Sequence, residues 1–406
     1  MAIAARTCTR PTQGRGSVAE REENPYRPGF NQPPLVFAGR ADVLDGAAEA
    51  LDIAAYDGRT PRPLILLGPR GVGKTVTLGE ISALAAERHG WPTVHVEAKL
   101  AGPFLSDLTA GLHGAGRLLA GADLDRRKSR IRVTGGKVEA RAFGVGGELQ
   151  FDAERPEGPA PNLGATLAET MRIAIERSAG LVLTVDELQN AEPGDVSMLF
   201  GVIQEYVPNG WPLVIALAAL PTLRENRGRR RLPTYLERAE WHDLDTLPPT
   251  EARQALVGPA QQAGRPMTPG AADALLGHAG GYPYAIQVAG HFAWRASHGS
   301  RAIGVDHARA AVPKIEADLA QLFRSRWDDA SPREQEYLRA MAAVAGRGEV
   351  PRGGPVAAEL GAPVTSVSYL RARLLRKGTI YREAGGALHF ITPGMGAWIR
   401  ARDRED

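Results

Sequence analysis

The octapeptide GPRGVGKT, Gly68–Thr75, follows the apolar run Leu64–Leu67 and opens a stretch with helical periodicity. The spacing is G-x-x-x-x-G-K-[ST]. Glycines at these positions let backbone N–H groups turn inward around phosphate oxygens. A lysine on a slim stem reaches the outer phosphates, a hydroxyl meets a divalent cation, and the following helix presents its positive end to the anion. The segment Gly68, Pro69, Arg70, Gly71, Val72, Gly73, Lys74, Thr75 and Val76 is therefore the candidate phosphate cradle, and the ligand it implies is ATP or GTP with Mg²⁺. Lysine is scarce in this arginine-rich chain, which makes Lys74 stand out.

A second element, LVLTVDELQN at Leu181–Asn190, is a buried-strand pattern ending in two acids. Beside a phosphate loop, Asp186 is placed to hold Mg²⁺ with Thr75, and Glu187 to polarise the attacking water. Gln189 either orients Glu187 or starts the next helix. The neighbouring pattern alternates strand and helix: helix at Ala41–Asp57, strand at Pro63–Leu67, helix at Lys74–Arg88, strand at Pro92–Val96, helix at Leu105–Leu119, helix at Leu163–Ser178, strands at Leu181–Val185 and Leu213–Leu220. Such alternation predicts an α/β fold, a parallel sheet with helices on both faces. Residues 123–162 are charged and Gly-rich and read as a β-hairpin insertion or a mobile loop.

Four domains are expected. Residues 1–33 read as a mostly disordered tail, 34–249 as the P-loop domain, 250–330 as a small helical lid, and 331–406 as a helix–helix–helix–hairpin module. Ser331 is an N-cap for the last of these, with Pro332 at the first helical position.

The two nucleotide motifs resemble the Walker A and B motifs of AAA+ ATPases. The segment PLVFAGRADVLDGAAEAL, Pro34–Leu51, is similar to the "GR-x-x-x-L" segment shared by origin-recognition and archaeal-initiator ATPases and by STAND ATPases. The resemblance implies that Val36, Phe37 and Arg40 lie by the adenine, with Tyr26 and Arg27 as further contacts. GGYPYAIQVAG, Gly280–Gly290, lacks the sensor 2 arginine of initiators and looks like the G-x-P lid motif of STAND ATPases, which makes Pro283 a nucleotide contact. No clear sensor 1 residue follows Leu213–Leu220 unless Thr222 substitutes, so hydrolysis is expected to be slow. Arg238 matches the family's arginine finger best and Arg224 next, both acting across a subunit boundary. The last module resembles a winged helix-turn-helix, and with it the resemblance spans residues 24–406.

On the helix VTSVSYLRARLLRKG, Val367, Leu370 and Leu374 face inward, while Ser366, Tyr369, Arg373 and Arg376 share a neighbouring face with Lys377 close by. Hydroxyl, aromatic and guanidinium groups suit phosphates and base edges, so duplex DNA is the expected partner. Arg382 on the hairpin and the cluster Arg224–Leu232 are further basic candidates. The alternative is a signalling or assembly ATPase whose winged helix meets protein, and a homo-oligomer fits either reading. The net charge of +3 compels no nucleic-acid partner by itself. The lone Cys8 excludes an intrachain disulfide, and no stretch approaches the ~18 apolar residues of a membrane span. A cytoplasmic ATPase is the expectation.

Overall fold

The computed structural model describes residues 23–29, 32–121, 129–134, 137–142, 148–150, 162–225, 233–383, 385–392 and 394–404. The expectations for the tail before Glu23, for part of the 123–162 region, for the basic run 226–232 and for the Arg376 side chain lie outside what is described.

Helix α1 (Ala41–Tyr56) leads into strand β1 (Leu64–Leu67), whose four residues are all buried. The P-loop follows and gives way to α2 (Lys74–His89), which starts after Gly73 at φ 96°, a left-handed conformation suited to glycine. Next come β2 (Thr93–Glu97) and α3 (Phe104–Ala120). The region read as a hairpin insertion contains β3 (Ser129–Thr134), β4 (Lys137–Ala142) and β5 (Glu148–Gln150). Strands β3 and β4 form the expected hairpin, and β3 also pairs in parallel with β2, so these strands widen the central sheet. Helix α4 (Leu163–Glu176) is capped by the Asn162 side chain accepting from Gly164 N–H at 2.9 Å.

Strand β6 (Leu181–Asp186) precedes α5 (Pro193–Tyr206), a helix not singled out from the sequence. Strand β7 (Leu213–Ala219), the short α6 (Thr222–Glu225) and α7 (Thr234–Glu237), and β8 (Glu240–Asp243) complete this part. The strand order is β5-β4-β3-β2-β6-β7-β1-β8. Every pairing from β3 across to β8 is parallel, and β4 and β5 run antiparallel. Strands β1 and β7 are buried at every position because helices cover both faces, α1 and α2 as one layer, α3, α4 and α5 as the other.

Four helices follow: α8 (Pro249–Gln262), α9 (Pro269–Ala279), α10 (Pro283–Ala296) and α11 (Val305–Asp328). Proline opens three of them, where its missing N–H costs nothing. The N-terminal segment 24–29 is fastened to this bundle. Asn24 Nδ2 donates to His291 O at 3.1 Å, and the buried Tyr26 hydroxyl donates to Leu256 O. The Tyr26 ring occupies the space a side chain on Gly290 would need, 2.2 Å from a Cβ there.

The chain ends in α12 (Pro332–Gly346), α13 (Gly353–Glu359), α14 (Val364–Arg376), the antiparallel pair β9 (Ile380–Arg382) and β10 (Leu388–Phe390), and α15 (Met395–Arg402). The first strand lies earlier than the sequence suggested, and α15 was not foreseen. Ser331 caps α12 in a reciprocal box with Glu334. Val367, Leu370 and Leu374 of α14 face the interior, as their spacing predicts. Strand β9 packs against α6, and Gly378 abuts Leu220, so the C-terminal segment rests on the P-loop domain beside the end of β7.

Candidate functional site

The parallel topology brings β1 and β6 to the same edge of the sheet, each delivering its motif there. Lys74 is buried, and its ammonium donates to Gly68 O at 2.9 Å and Pro69 O at 2.7 Å. Burial, the largest influence, lowers its pKa to about 8; Glu187 and Asp186 pull it up and Arg70 pushes it down. The Thr75 hydroxyl donates to Asp186 Oδ2 at 2.5 Å. Asp186 is itself buried, which raises its carboxyl pKa against the opposing hydrogen bond from Thr75. Glu187 sits at φ 51°, a left-handed backbone that costs a non-glycine residue roughly 1–2 kcal/mol.

The glycines of the loop are required by contact as well as conformation. A Cβ on Gly68 would lie 2.3 Å from Leu244 O, and one on Gly71, at φ 75°, would lie 2.0 Å from the Tyr282 hydroxyl. That hydroxyl donates to Arg70 O at 3.0 Å, tying the first turn of α10 to the P-loop.

Beside these groups lies a cavity of about 480 Å³, whose lining does not include Gly68, Pro69 or Asp186. Arg70 to Val76, Glu187, Phe37, Arg40 and Pro283 all line it, so most residues singled out in the sequence converge on one space. Its other wall comes from Arg27, Pro28 and Gln287, where Arg27 N–H donates to Gln287 Oε1 at 3.1 Å. Arg326 of α11 and Thr392, after β10, also face the cavity, and neither was foreseen.

Some expectations change in detail. The Arg40 guanidinium donates to Gly39 O, Val72 O and Asp245 O, at 2.8, 3.2 and 2.6 Å, so it clamps the P-loop to the segment after β8 rather than offering free donors. Tyr26 is a core residue of the helical bundle and does not line the cavity. Thr222 does not line it either; instead Gln189 reaches across, donating to the Glu187 carboxylate and accepting Leu220 N–H at 3.0 Å. Arg238 is exposed and away from the cavity lining, while Arg224 pairs with Asp243 at 2.8 Å.

The expected DNA face on α14 differs most. Arg373 and Lys377 converge on Glu334, whose side chain is 0% exposed, at 3.0 and 2.6 Å. Lys377 also donates to Asp329 O at 2.9 Å. Both side chains stay partly exposed, at 46% and 34%, while pairing with a capping-box acid that α12 buries beneath α14. Ser366 Oγ donates to Pro363 O at 2.7 Å, and Tyr369 is 53% exposed.

Residues 36–215 match the AAA ATPase domain. The match begins at Val36, beside Phe37 and Arg40, and takes in both nucleotide motifs. Residues 320–399 match a domain of unknown function (DUF8462), a span that contains both Arg326 and Thr392. Among solved structures, the Walker-type ATPase paby2304 of Pyrococcus abyssi shares the fold with a TM-score of 0.55 and 17% identity, over 91% of this chain and 98% of that one. The RuvB Holliday junction branch migration motor of Thermotoga maritima aligns at TM-score 0.45 and 16% identity, over 90% and 95%. The Orc1 protein of Aeropyrum pernix in complex with DNA aligns at 0.43 and 15%, over 92% and 94%. No curated protein matches the chain. Among the described residues, no helix is long and apolar enough to cross a membrane.

The residues fit a nucleotide and its cation. Arg70 Nε is buried without a hydrogen-bond partner, the cradle closes if a Cβ is added, and Thr75 with Asp186 forms an oxygen donor pair. One hydroxyl and one carboxylate suit a magnesium ion that keeps its remaining positions for water and phosphate.

Proposed function

We propose that the chain is an ATP-binding, slowly hydrolysing AAA+ switch of the initiator- and STAND-like kind, whose C-terminal winged-helix-like module acts on duplex DNA. The observation that carries this reading is the shared cavity: P-loop residues Arg70–Val76 on one side, and Arg326 and Thr392 from the C-terminal part on the other. A ligand seated there touches both halves, so its phosphates bias how the module sits against α6.

Each residue then has a task. Lys74 leaves its two carbonyl partners for the β- and γ-phosphates. Thr75 and Asp186 hold the Mg²⁺, which when bound offsets phosphate charge. Glu187 accepts hydrogen from the attacking water, and Gln189 holds its carboxylate in register with the end of β7. Phe37 lies by the base, with Arg40 holding the loop beside it, and Pro283 sets the start of α10 over the nucleotide. Slow turnover follows from the absence of a polar β7 side chain among the cavity-lining residues. Arg238, exposed before β8, would complete a neighbouring subunit's site in a homo-oligomer.

The engagement of Arg373 and Lys377 with Glu334, and the exposed Val364 and Tyr369 on α14, favour a second reading in which this face meets a protein. Binding to a duplex oligonucleotide, with and without ATP over a salt series, separates the two. Nucleotide-dependent, salt-sensitive binding weakened by Ser366→Ala and Tyr369→Ala supports DNA. No binding at low salt in either nucleotide state rules it out.

A further inference from the structure

Arg326 lies in the final turns of α11, over 250 positions from the P-loop in sequence, yet it faces the same cavity as Lys74 and Thr75. It is half-buried and makes no hydrogen bond or ion pair with any described residue. Asp329 is near enough to attract it without pairing. Arg70 faces the cavity too, equally without a partner, and its Nε is fully buried. The two guanidiniums feel each other's charge, and each is sensed by a group of the hydrolytic end: Arg326 by Glu187, Arg70 by Lys74. Burial, the largest influence, lowers the basicity of Arg326, and Arg70 lowers it further. Two guanidiniums that face one cavity, neither of them hydrogen-bonded nor ion-paired to a described residue, suit an anion there.

The start of α10, where a γ-phosphate-sensing arginine is expected in initiator-type ATPases, supplies Tyr282, Pro283 and Tyr284 instead. No cation of that turn can report on the terminal phosphate. Arg326 and Glu187 line the same cavity and attract each other, so an anion that meets Arg326 there lies toward the Glu187 end.

We infer that Arg326, with Arg70, forms a terminal-phosphate site that distinguishes ATP from ADP. The inference deepens the proposed nucleotide site and rests on it. The ligand chemistry is a polyphosphate ending beside Glu187; charge-assisted hydrogen bonds from two guanidiniums would engage the γ-phosphoryl oxygens, which ADP lacks. Since α11 continues almost directly into α12, the same contact would hold the C-terminal module against the cavity in the triphosphate state and not in the diphosphate state.

The test measures dissociation constants of full-length protein for a non-hydrolysable ATP analogue and for ADP, both with Mg²⁺, by calorimetry. Arg326→Ala is expected to weaken the analogue about tenfold while ADP stays within about twofold. Arg70→Ala should do the same, and Arg326→Lys should recover part of the loss, which a merely misfolded variant could not show. Equal loss for both nucleotides, or loss for neither, overturns the inference while the site stands, provided that Lys74→Ala abolishes binding of both. If the unaltered protein binds neither nucleotide, or Lys74→Ala binds as well as it does, the nucleotide site itself is wrong and the inference goes with it.

Discussion

Gln189 donates its side-chain amide to the Glu187 carboxylate while its carbonyl accepts Leu220 N–H at 3.0 Å. One side chain thus connects Glu187, the proposed hydrolytic residue, to the end of β7, where the family resemblance leads one to expect a polar sensor. Gln189→Ala should lower kcat by about tenfold or more with little change in ATP affinity, since removing a positioning contact acts on the transition state rather than on binding. Rates and dissociation constants measured side by side check this. A change confined to affinity would mean that Gln189 supports the cradle instead.

Lys74 makes nucleotide binding depend on pH. Its pKa near 8, below the ordinary 10.5, means the folded, nucleotide-free chain holds fewer protons than the unfolded chain between those values. Its contribution to stability therefore rises over that window and is least below it. A bound phosphate favours the charged amine, so affinity should fall by about tenfold from pH 7 to 9. Lys74→Arg, charged throughout, should lose this dependence. Titrations at three pH values decide, and a flat wild-type profile contradicts the prediction.

Much of this site is legible in the chain because its chemistry is local. Gly68–Thr75 and Asp186–Glu187 each sit at the end of a strand whose apolar run announces it. What escapes is long-range. Arg326 lies in a helix with arginine at 324 and 326, and nothing in its spacing tells which one faces inward. Tyr26 looks like a nucleotide contact from its sequence neighbours, yet Gly290 makes room for its ring in the lid. Arg373 and Lys377 form a plausible basic face until Glu334 is found beneath them; the box Ser331–Glu334 is visible in the sequence, its burial under α14 is not.

Tyr282 and Gly71 form a lock between the start of α10 and the P-loop. Tyr282→Phe removes one hydrogen bond and should cost about 1 kcal/mol of stability. Gly71→Ala should cost more, because the left-handed backbone alone is worth roughly 1–2 kcal/mol and the methyl also collides with the hydroxyl. Urea melts of the two variants give the ordering, and an equal or reversed cost would place Tyr282 away from the loop.

Glu334 is held ionised in the interior. Burial pushes its carboxyl up, but hydrogen bonds from Lys377 and Ser331 outweigh it and hold the pKa below the ordinary 4.5. Its stabilisation is present above that value and lost as pH falls through the lowered one. Replacing both Arg373 and Lys377 by alanine should cost about 3 kcal/mol by stranding the carboxylate, whereas Ser366→Ala and Tyr369→Ala should leave the melting temperature nearly unchanged. Unaltered stability in the double variant would release those cations for a partner.

The proposed Mg-ATP site centres a slow hydrolytic step on Glu187. Single-turnover hydrolysis of ATP by the wild-type chain and by Glu187→Gln isolates that step. Phosphate release from wild type should be slow but measurable and none above background from the variant, with ATP affinities agreeing within about threefold because the substitution removes a proton acceptor and not a phosphate contact. Equal phosphate release from the two proteins, or no ATP binding by either, would contradict it.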